Sequence, residues 1–308
     1  MNALLIFNPA AGQGRPAEAL EAARLAFSPF LREVVVTQGR GDAEAAARRA
    51  AECPGLFDAV LVAGGDGTLN EVLNGVLPPS SGSPRIGGGG GRHVLPVGLI
   101  PLGTRNVLAR ELGVPRGDMA AQAAVFERGR TRVLDLGRAG GQYFSLVAGF
   151  GFDAAVVREV ALPVKELIGP AAYAFATLGA LARYRSTRFH LTLDGQTISA
   201  DAFLVLVANV SSYAFRQIRP APFAAPDDGW LDICVFERAP TDKVGFVTQV
   251  LAVLARRHLR DPRVRYYRAR RIEIMSDPPV QAQLDGDITG LTPLTMEVVP
   301  KALTVFVP

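Results

Sequence analysis

In the first hundred residues, apolar runs of strand length repeatedly end in a turn and restart as helix. "NALLIFN" (2–8) leads through "PAAGQGR" (9–15) into a helical pattern from about 16 to 27. "REVVVTQ" (32–38) precedes "GDAEAAARRAAEC" (41–53), where Asp42 is placed to cap a helix. "FDAVLVAGG" (57–65) runs into "DGTLNEVLNG" (66–75), and a fourth strand within "HVLPVGLIPLGT" (93–104) runs into "TRNVLARELG" (104–113). Strands alternating with helices join one sheet through crossovers, so a parallel sheet is expected. Ligands of such sheets sit beyond the strands' carboxyl ends, where these turns lie.

From about Leu134 the pattern changes. "FSLVAGFG", "RFHLTLDG", "TISADAFLVLVANV", "WLDICVFE", "RIEIMS", "VQAQLDGD" and "LTMEVVP" read as strands, many with period-two alternation. They predict an antiparallel β-sandwich interrupted by helical stretches over about 163–184 and 241–257. The expected fold is therefore α/β plus β. An N-terminal α/β domain covers 1–134 and a C-terminal β-sandwich domain covers 135–299, with the last strand, about 300–308, returning to the first. "PPSSGSPRIGGGGGRH" (78–93) is read as a surface excursion, because five consecutive glycines define no fixed backbone geometry.

A length of 308 residues fits two such domains, and 49% hydrophobic content provides for their cores. The net charge of +4 is compatible with an anionic ligand or membrane surface. Cys53 and Cys234 lack metal-ligand spacing and read as reduced thiols, which points to the cytoplasm. No secretory signal is visible, and the longest apolar stretch, 169–184, falls short of the roughly 20 residues that span a bilayer. Action on lipid would have to be from the surface.

Several glycine-loop chemistries are excluded or weak. No G-x-x-x-x-G-K-[ST] occurs. "GQGRPA" (12–17) fits G-x-G-x-x-A, but the second strand ends in Val36-Thr37-Gln38 with no acid for a ribose. More informative is the set of Asn8-Pro9 with Gly12 and Gly14, Gly64-Gly65-Asp66-Gly67-Thr68, and "PLGTRN" (101–106). Each follows a strand, so all three converge at one sheet edge. Bare amides and a helix N-terminus there suit a polyphosphate, with hydroxyls from Thr68 and Thr104. Asp66 would repel phosphates unless Mg²⁺ lay with them, since Mg²⁺ takes one or two carboxylates plus substrate oxygens. The competing reading makes Asp66 a turn or N-cap residue.

"NPAAGQG", "GGDGTLNEVLNG", "PLGTRN", "APDDGWLDICVF" and "LDGDITGLTPLTMEVVPKALTVFVP" together resemble the diacylglycerol kinase catalytic-domain family. The bacterial soluble lipid kinases are the nearest branch, and sphingosine and ceramide kinases are cousins. G-G-D-G-T is shared with NAD kinases and phosphofructokinases, whereas D-G-[ED] followed by T-P marks the lipid kinases. The resemblance implies an ATP site and γ-phosphoryl transfer to a lipid hydroxyl. Asn8, Thr37, Gly64, Gly65, Asp66, Gly67, Thr68, Leu69, Asn70 and Thr104 would line the nucleotide. Asp287 takes the general-base position, with Asp285 ordering its loop. Read alone, "LDGD" is also a good type I′ hairpin. In "PDDGWLD" (226–232) the resemblance implies a structural Mg²⁺ on the Asp228 side chain and the carbonyls of Ala225 and Trp230; a capped turn is the alternative. Lys165 stands where the family carries a basic residue near the cleft, though a solvated lysine reads equally well.

Three departures accompany the likeness. Asp287 replaces the usual Glu, and Val107 follows Asn106 where many relatives carry Asp. "NVSSYAFRQIRP" (209–220) lacks a glycine cluster and places Phe215 and Arg216 there. "RRHLRDPRVRYYRARR" (256–271) holds eight arginines and one acid, and reads either as attraction to an anionic leaflet or as a solvated strand edge. No nucleic-acid module accompanies it, and His93, His190 and His258 form no zinc or hydrolase pattern. The expectation is an ATP- and Mg²⁺-dependent lipid kinase, cytoplasmic and peripheral on the inner membrane face, with a homodimer expected from the family. Its rivals are a soluble-metabolite kinase of NAD kinase type and a non-catalytic lipid-binding protein.

Overall fold

The computed structural model describes residues 1–11, 14–78, 94–152, 154, 185–213, 218–238 and 243–308. All but Pro78 of the expected excursion over 78–93, the helical stretch over 163–184, and Gly12, His93, Lys165, Phe215 and Arg216 lie outside the described residues. Contacts divide the chain into two compact units. Unit 1 holds 1–136, 141–145 and 299–308; unit 2 holds 137–140 and 146–298.

Unit 1 is built on β1 (Ala3–Phe7), β2 (Leu31–Val36), β3 (Ala59–Gly64) and β4 (Val97–Pro101). These strands pair in parallel in the order β2-β1-β3-β4. β1, β3 and β4 are buried along their whole length, which is why they read as unbroken apolar runs. Helices α1 (Pro16–Phe27), α2 (Asp42–Ala51), α3 (Asp66–Val76), α4 (Val107–Glu111) and α5 (Met119–Arg128) complete it. Phe27, Phe126 and Phe306 form the aromatic heart of one core cluster, with Phe126 and Phe306 ring centroids 4.5 Å apart. Because β1 sits between β2 and β3, the chain reverses its direction of travel across the sheet there. The carboxyl ends of β1 and β3 flank a topological switch point, the usual ligand crevice of this architecture.

Asp42 does not cap α2. Its carboxylate turns back to accept from the Gln38 and Gly39 amides at 2.8 and 3.0 Å. The Ala43 amide in the first turn of α2 instead donates to Glu71 of α3, at 3.2 Å. The sequence reading passed over α5, although Asp118 caps it by accepting from Ala121 at 2.9 Å and Gly129 closes it in the left-handed region.

Strands β5 (Thr131–Ala139) and β6 (Gln142–Phe144) follow; then unit 2 is antiparallel throughout its recorded pairings. Its strands are β7 (Val147–Gly151), β8 (Thr187–Leu193), β9 (Gln196–Ala208), β10 (Leu231–Glu237), β11 (Val264–Ala269), β12 (Arg271–Asp277), β13 (Gln281–Leu284), β14 (Asp287–Leu291) and the first part of β15 (Leu294–Phe306). The first half of the long β9 pairs with β8 and its second half with β7 and β10, so one strand serves both layers of a sandwich. Helix α6 (Lys243–Leu254) packs Phe246 among Phe152, Phe203 and Phe236. The end of β15 belongs to unit 1, where Val305 pairs in parallel with Val97.

Candidate active site

Within unit 1, the three glycine turns meet at the switch point. Asn8, just past β1, donates its side-chain amide to the Thr68 hydroxyl at 2.8 Å, and its own carbonyl oxygen Oδ1 accepts from the Ala10 amide at 2.9 Å. Its backbone amide reaches Ala63 at 2.8 Å, continuing the β1–β3 ladder. Thr68 is buried, so its hydroxyl serves this strut. Thr37 closes the end of β2 through its amide, 2.9 Å from the Phe7 carbonyl.

The second and third turns interlock. Leu102 and Gly103 amides both donate to the Gly64 carbonyl, at 3.0 and 3.2 Å. A Cβ on Gly103 would stand 2.7 Å from the Gly65 Cα, and one on Gly64 would stand 2.6 Å from the Thr68 side chain. Gly67 is the opposite case: it is exposed, and nothing lies within 4 Å of where its Cβ would be. The first turn of α3 carries no side-chain cap. Its amides and the open surface over Gly67 fit an anion, since helix N-termini present unpaired donors and partial positive charge. Gly103→Ala should therefore lower the thermal midpoint, because overpacking against backbone costs about 1–3 kcal/mol. Gly67→Ala should melt as the wild type does yet bind nucleotide more weakly. Calorimetry paired with nucleotide titration separates the two effects.

Asp66 receives a structural explanation that the sequence left as the second choice. Its carboxylate accepts from the Val107 amide at 2.7 Å, capping α4 across 41 residues of sequence. Asn106, which precedes it, is in the left-handed region (φ 45°) and bonds its side chain to the Gly103 carbonyl. It is buried, and a sequence cue existed in its asparagine character, since Asn tolerates that conformation. Leu69 is buried and, with Asp66 and Asn106, lines a small pocket beneath the turn. Asn70 is engaged with β6: with Asn74 it donates to the Tyr143 carbonyl, at 3.2 and 3.1 Å. Thr104 is exposed at the rim of the turn, and its carbonyl accepts from Arg116 at 3.3 Å.

Unit 2 presents Asp287 on a tight hairpin. Asp285 (φ 50°) and Gly286 (φ 94°) are both left-handed, as a two-residue type I′ turn requires. The Asp285 carboxylate accepts from both the Leu146 and Val147 amides at 2.9 Å, and its amide returns to the Val147 carbonyl at 2.9 Å. Gln283, unremarked in the sequence, accepts from the Gly286 amide at 2.6 Å. The turn is thus clamped on both sides, and Asp287 emerges half-buried as the first residue of β14. Hairpin and acid coexist here; the two readings of "LDGD" do not compete.

At the 226–232 turn, which follows half-buried Ala225, Asp228 accepts from the Trp230 amide at 3.1 Å and pairs with Arg268. Arg268 also reaches the fully buried Asp232 at 3.5 Å and lies over the Trp230 ring, which Arg270 approaches to 4.5 Å. Burial raises the pKa of Asp232, while hydrogen bonding from Tyr266 at 2.7 Å and the Arg268 charge oppose the rise. Arg268 thus brings positive charge to Asp228, at the turn where the resemblance implies a structural Mg²⁺ on Asp228, Ala225 and Trp230. A chelator should leave the wild-type thermal midpoint unchanged, while Arg268→Ala should lower it by exposing two carboxylates to each other. A chelator-induced fall in the wild type would assign a metal to this turn.

Residues 2–139 match the diacylglycerol kinase catalytic domain, and residues 146–307 match the YegS C-terminal NAD kinase beta sandwich-like domain. An α/β unit with these turns, followed by a sandwich of this type, defines a kinase. The chain belongs to the diacylglycerol kinase catalytic-domain family. It is 32% identical to the diacylglycerol kinase of Bacillus subtilis (strain 168) over 82% of this chain and 78% of that one. It is 29% identical to that of Staphylococcus aureus (strain MRSA252) over 99% and 92%. The crystal structure of a diacylglycerol kinase from Bacillus anthracis str. Sterne superposes with a TM-score of 0.76 at 25% identity, covering 100% of this chain and 97% of that one. Among the described residues no helix is long and apolar enough to cross a membrane.

Proposed function

We propose that the chain is an ATP- and Mg²⁺-dependent lipid kinase that transfers the γ-phosphoryl group to the hydroxyl of diacylglycerol or a related lipid. It would act in the cytoplasm as a peripheral protein of the inner membrane face, with a homodimer as its assembly. The observation that carries the reading is the junction of Asn8, Thr68, Gly65 and Gly103 at the β1/β3 switch point, beneath an open Gly67. Amides of the α3 first turn would hold the phosphates, with Thr104 at the rim.

Asp287 would accept the proton of the acceptor hydroxyl as its oxygen bonds to the γ-phosphorus and the bond to the β-phosphate oxygen breaks. Asp285 holds the hairpin that presents it. Asp66 is the carboxylate that would face Mg²⁺, and a single carboxylate suits an ion held mainly by phosphate oxygens. When bound, Mg²⁺ would neutralise charge on the transferring group. Asp66 already spends one oxygen on Val107, which fixes its position.

Labelled ATP offered with a total lipid extract or with NAD tests the reading. Label entering the organic phase, and lost without Mg²⁺, is the expected result. Label on NAD in the aqueous phase would replace it with the metabolite kinase, and lipid binding without ATP consumption would replace it with a regulatory protein.

A further inference from the structure

Helix α6 is apolar on both of its sides. Its inward face buries Phe246 and Val253 in the aromatic core of unit 2, and buried Gln249 donates to the Glu237 carbonyl at 3.1 Å. Its outward face carries Val244, Val250, Leu251 and Leu254, of which Val244 is 67% and Leu251 56% exposed. A helix that is apolar all round is ordinarily buried. A contiguous apolar stripe on the surface marks something that covers it.

The residues that follow indicate what covers it. Exposed Arg256, Arg257 and Arg260 sit in a turn fastened to the helix end, with the Arg257 amide 2.7 Å from the Ala252 carbonyl and the Arg256 amide 3.0 Å from that of Val253. Buried His258, 2.9 Å from the Pro220 carbonyl, pins the turn to the body of the unit. No acidic residue occurs from 243 to 260, and the next one, Asp261, is bound by Arg263 at 2.7 Å. A second copy of this face would thus bring arginines with no carboxylate on the helix to meet them. An anionic lipid surface supplies both apolar depth and negative charge.

We infer that α6 and its arginine turn form a docking surface for an anionic bilayer, with the helix lying flat in the interface. At twelve residues it is roughly 18 Å long, too short to cross a core of about 30 Å. Apolar burial combined with adjacent basic charge is what holds such helices at a membrane. The inference rests on the lipid kinase reading.

The test uses the full chain and vesicles of phosphatidylcholine with or without phosphatidylglycerol. Wild type should sediment with the anionic vesicles, and Leu251→Glu/Leu254→Glu should bind them about tenfold more weakly or worse. Arg256→Gln/Arg257→Gln should lose the preference for phosphatidylglycerol. Because both pairs are exposed, phosphorylation of diacylglycerol dispersed in detergent should be unchanged in both. Leu251→Trp adds a gain of signal: its emission should shift to the blue on anionic vesicles and be quenched by brominated acyl chains. Wild-type binding by the glutamate variant, or a tryptophan at 251 that is not quenched, overturns the proposal. So does a wild-type dimer that the glutamate variant dissociates while still binding vesicles. Failure to bind vesicles with diacylglycerol still phosphorylated in detergent overturns the docking surface alone. Docking without phosphorylation of any lipid supports it and overturns the kinase reading instead.

Discussion

Asp287→Asn is expected to reduce turnover by about 10²–10⁴, the usual worth of a general base, while leaving ATP affinity and the thermal midpoint as they were. The hairpin carrying it is built by other groups: Asp285 accepts from Leu146 and Val147, and Gly286 donates to Gln283. Asp287 itself enters β14 through backbone pairing with Leu284. Asparagine keeps the shape and the pairing and removes the capacity to take a proton, so the loss should fall on the chemical step. Asp287→Glu supplies the control, because it restores the longer acid usual at this position and should transfer phosphate. Single-turnover kinetics together with ATP titration reads the result, and undiminished turnover in the asparagine variant would remove Asp287 from the chemistry.

Asp66 invites a paired substitution, because two roles can be separated there. As a cap it accepts from the buried Val107 amide at 2.7 Å, a function that asparagine can perform and alanine cannot. As the partner of a magnesium–phosphate assembly it needs its negative charge, which both variants lack. Asp66→Ala should destabilise the fold by about 1–3 kcal/mol, the cost of leaving a buried donor unmade. Asp66→Asn should melt close to the wild type. Both should lose about a hundredfold or more in kcat/KM, a factor equal to ~2.7 kcal/mol of transition-state stabilisation. If Asp66→Asn keeps full activity and an unaltered magnesium requirement, the carboxylate is a cap and nothing more.

What could be read from the chain was whatever local pattern encodes. Apolar runs gave β1, β3 and β4, and the glycine turns after them stand where parallel strands end. Period-two segments gave most of unit 2, and "LDGD" gave both its turn and its acid. Partners distant in sequence could not be read. Asn8 meets Thr68 across 60 positions, and Arg268 meets Asp228 across 40. No window of residues shows that a guanidinium lies where a metal is otherwise expected. Strand β11 was legible only as a possible strand edge: Arg265 and Arg268, three positions apart, break any period-two pattern, although both pair with β10. Asp42 sits where motif logic expects a cap, and the Gln38 and Gly39 amides give it another task.

The path of β15 has a consequence for synthesis. Val305 lies 208 positions after its partner Val97, yet it flanks β4, and Phe306 fills the core beside Phe126. At about 5–20 residues per second, β4 waits on the order of 10–40 s for its neighbour. During that interval the nascent unit 1 carries an unpaired apolar edge, the kind that recruits the wrong strand. A chain cut before Val305 and Phe306 would make that interval permanent, so loss of these late residues should injure the unit made first.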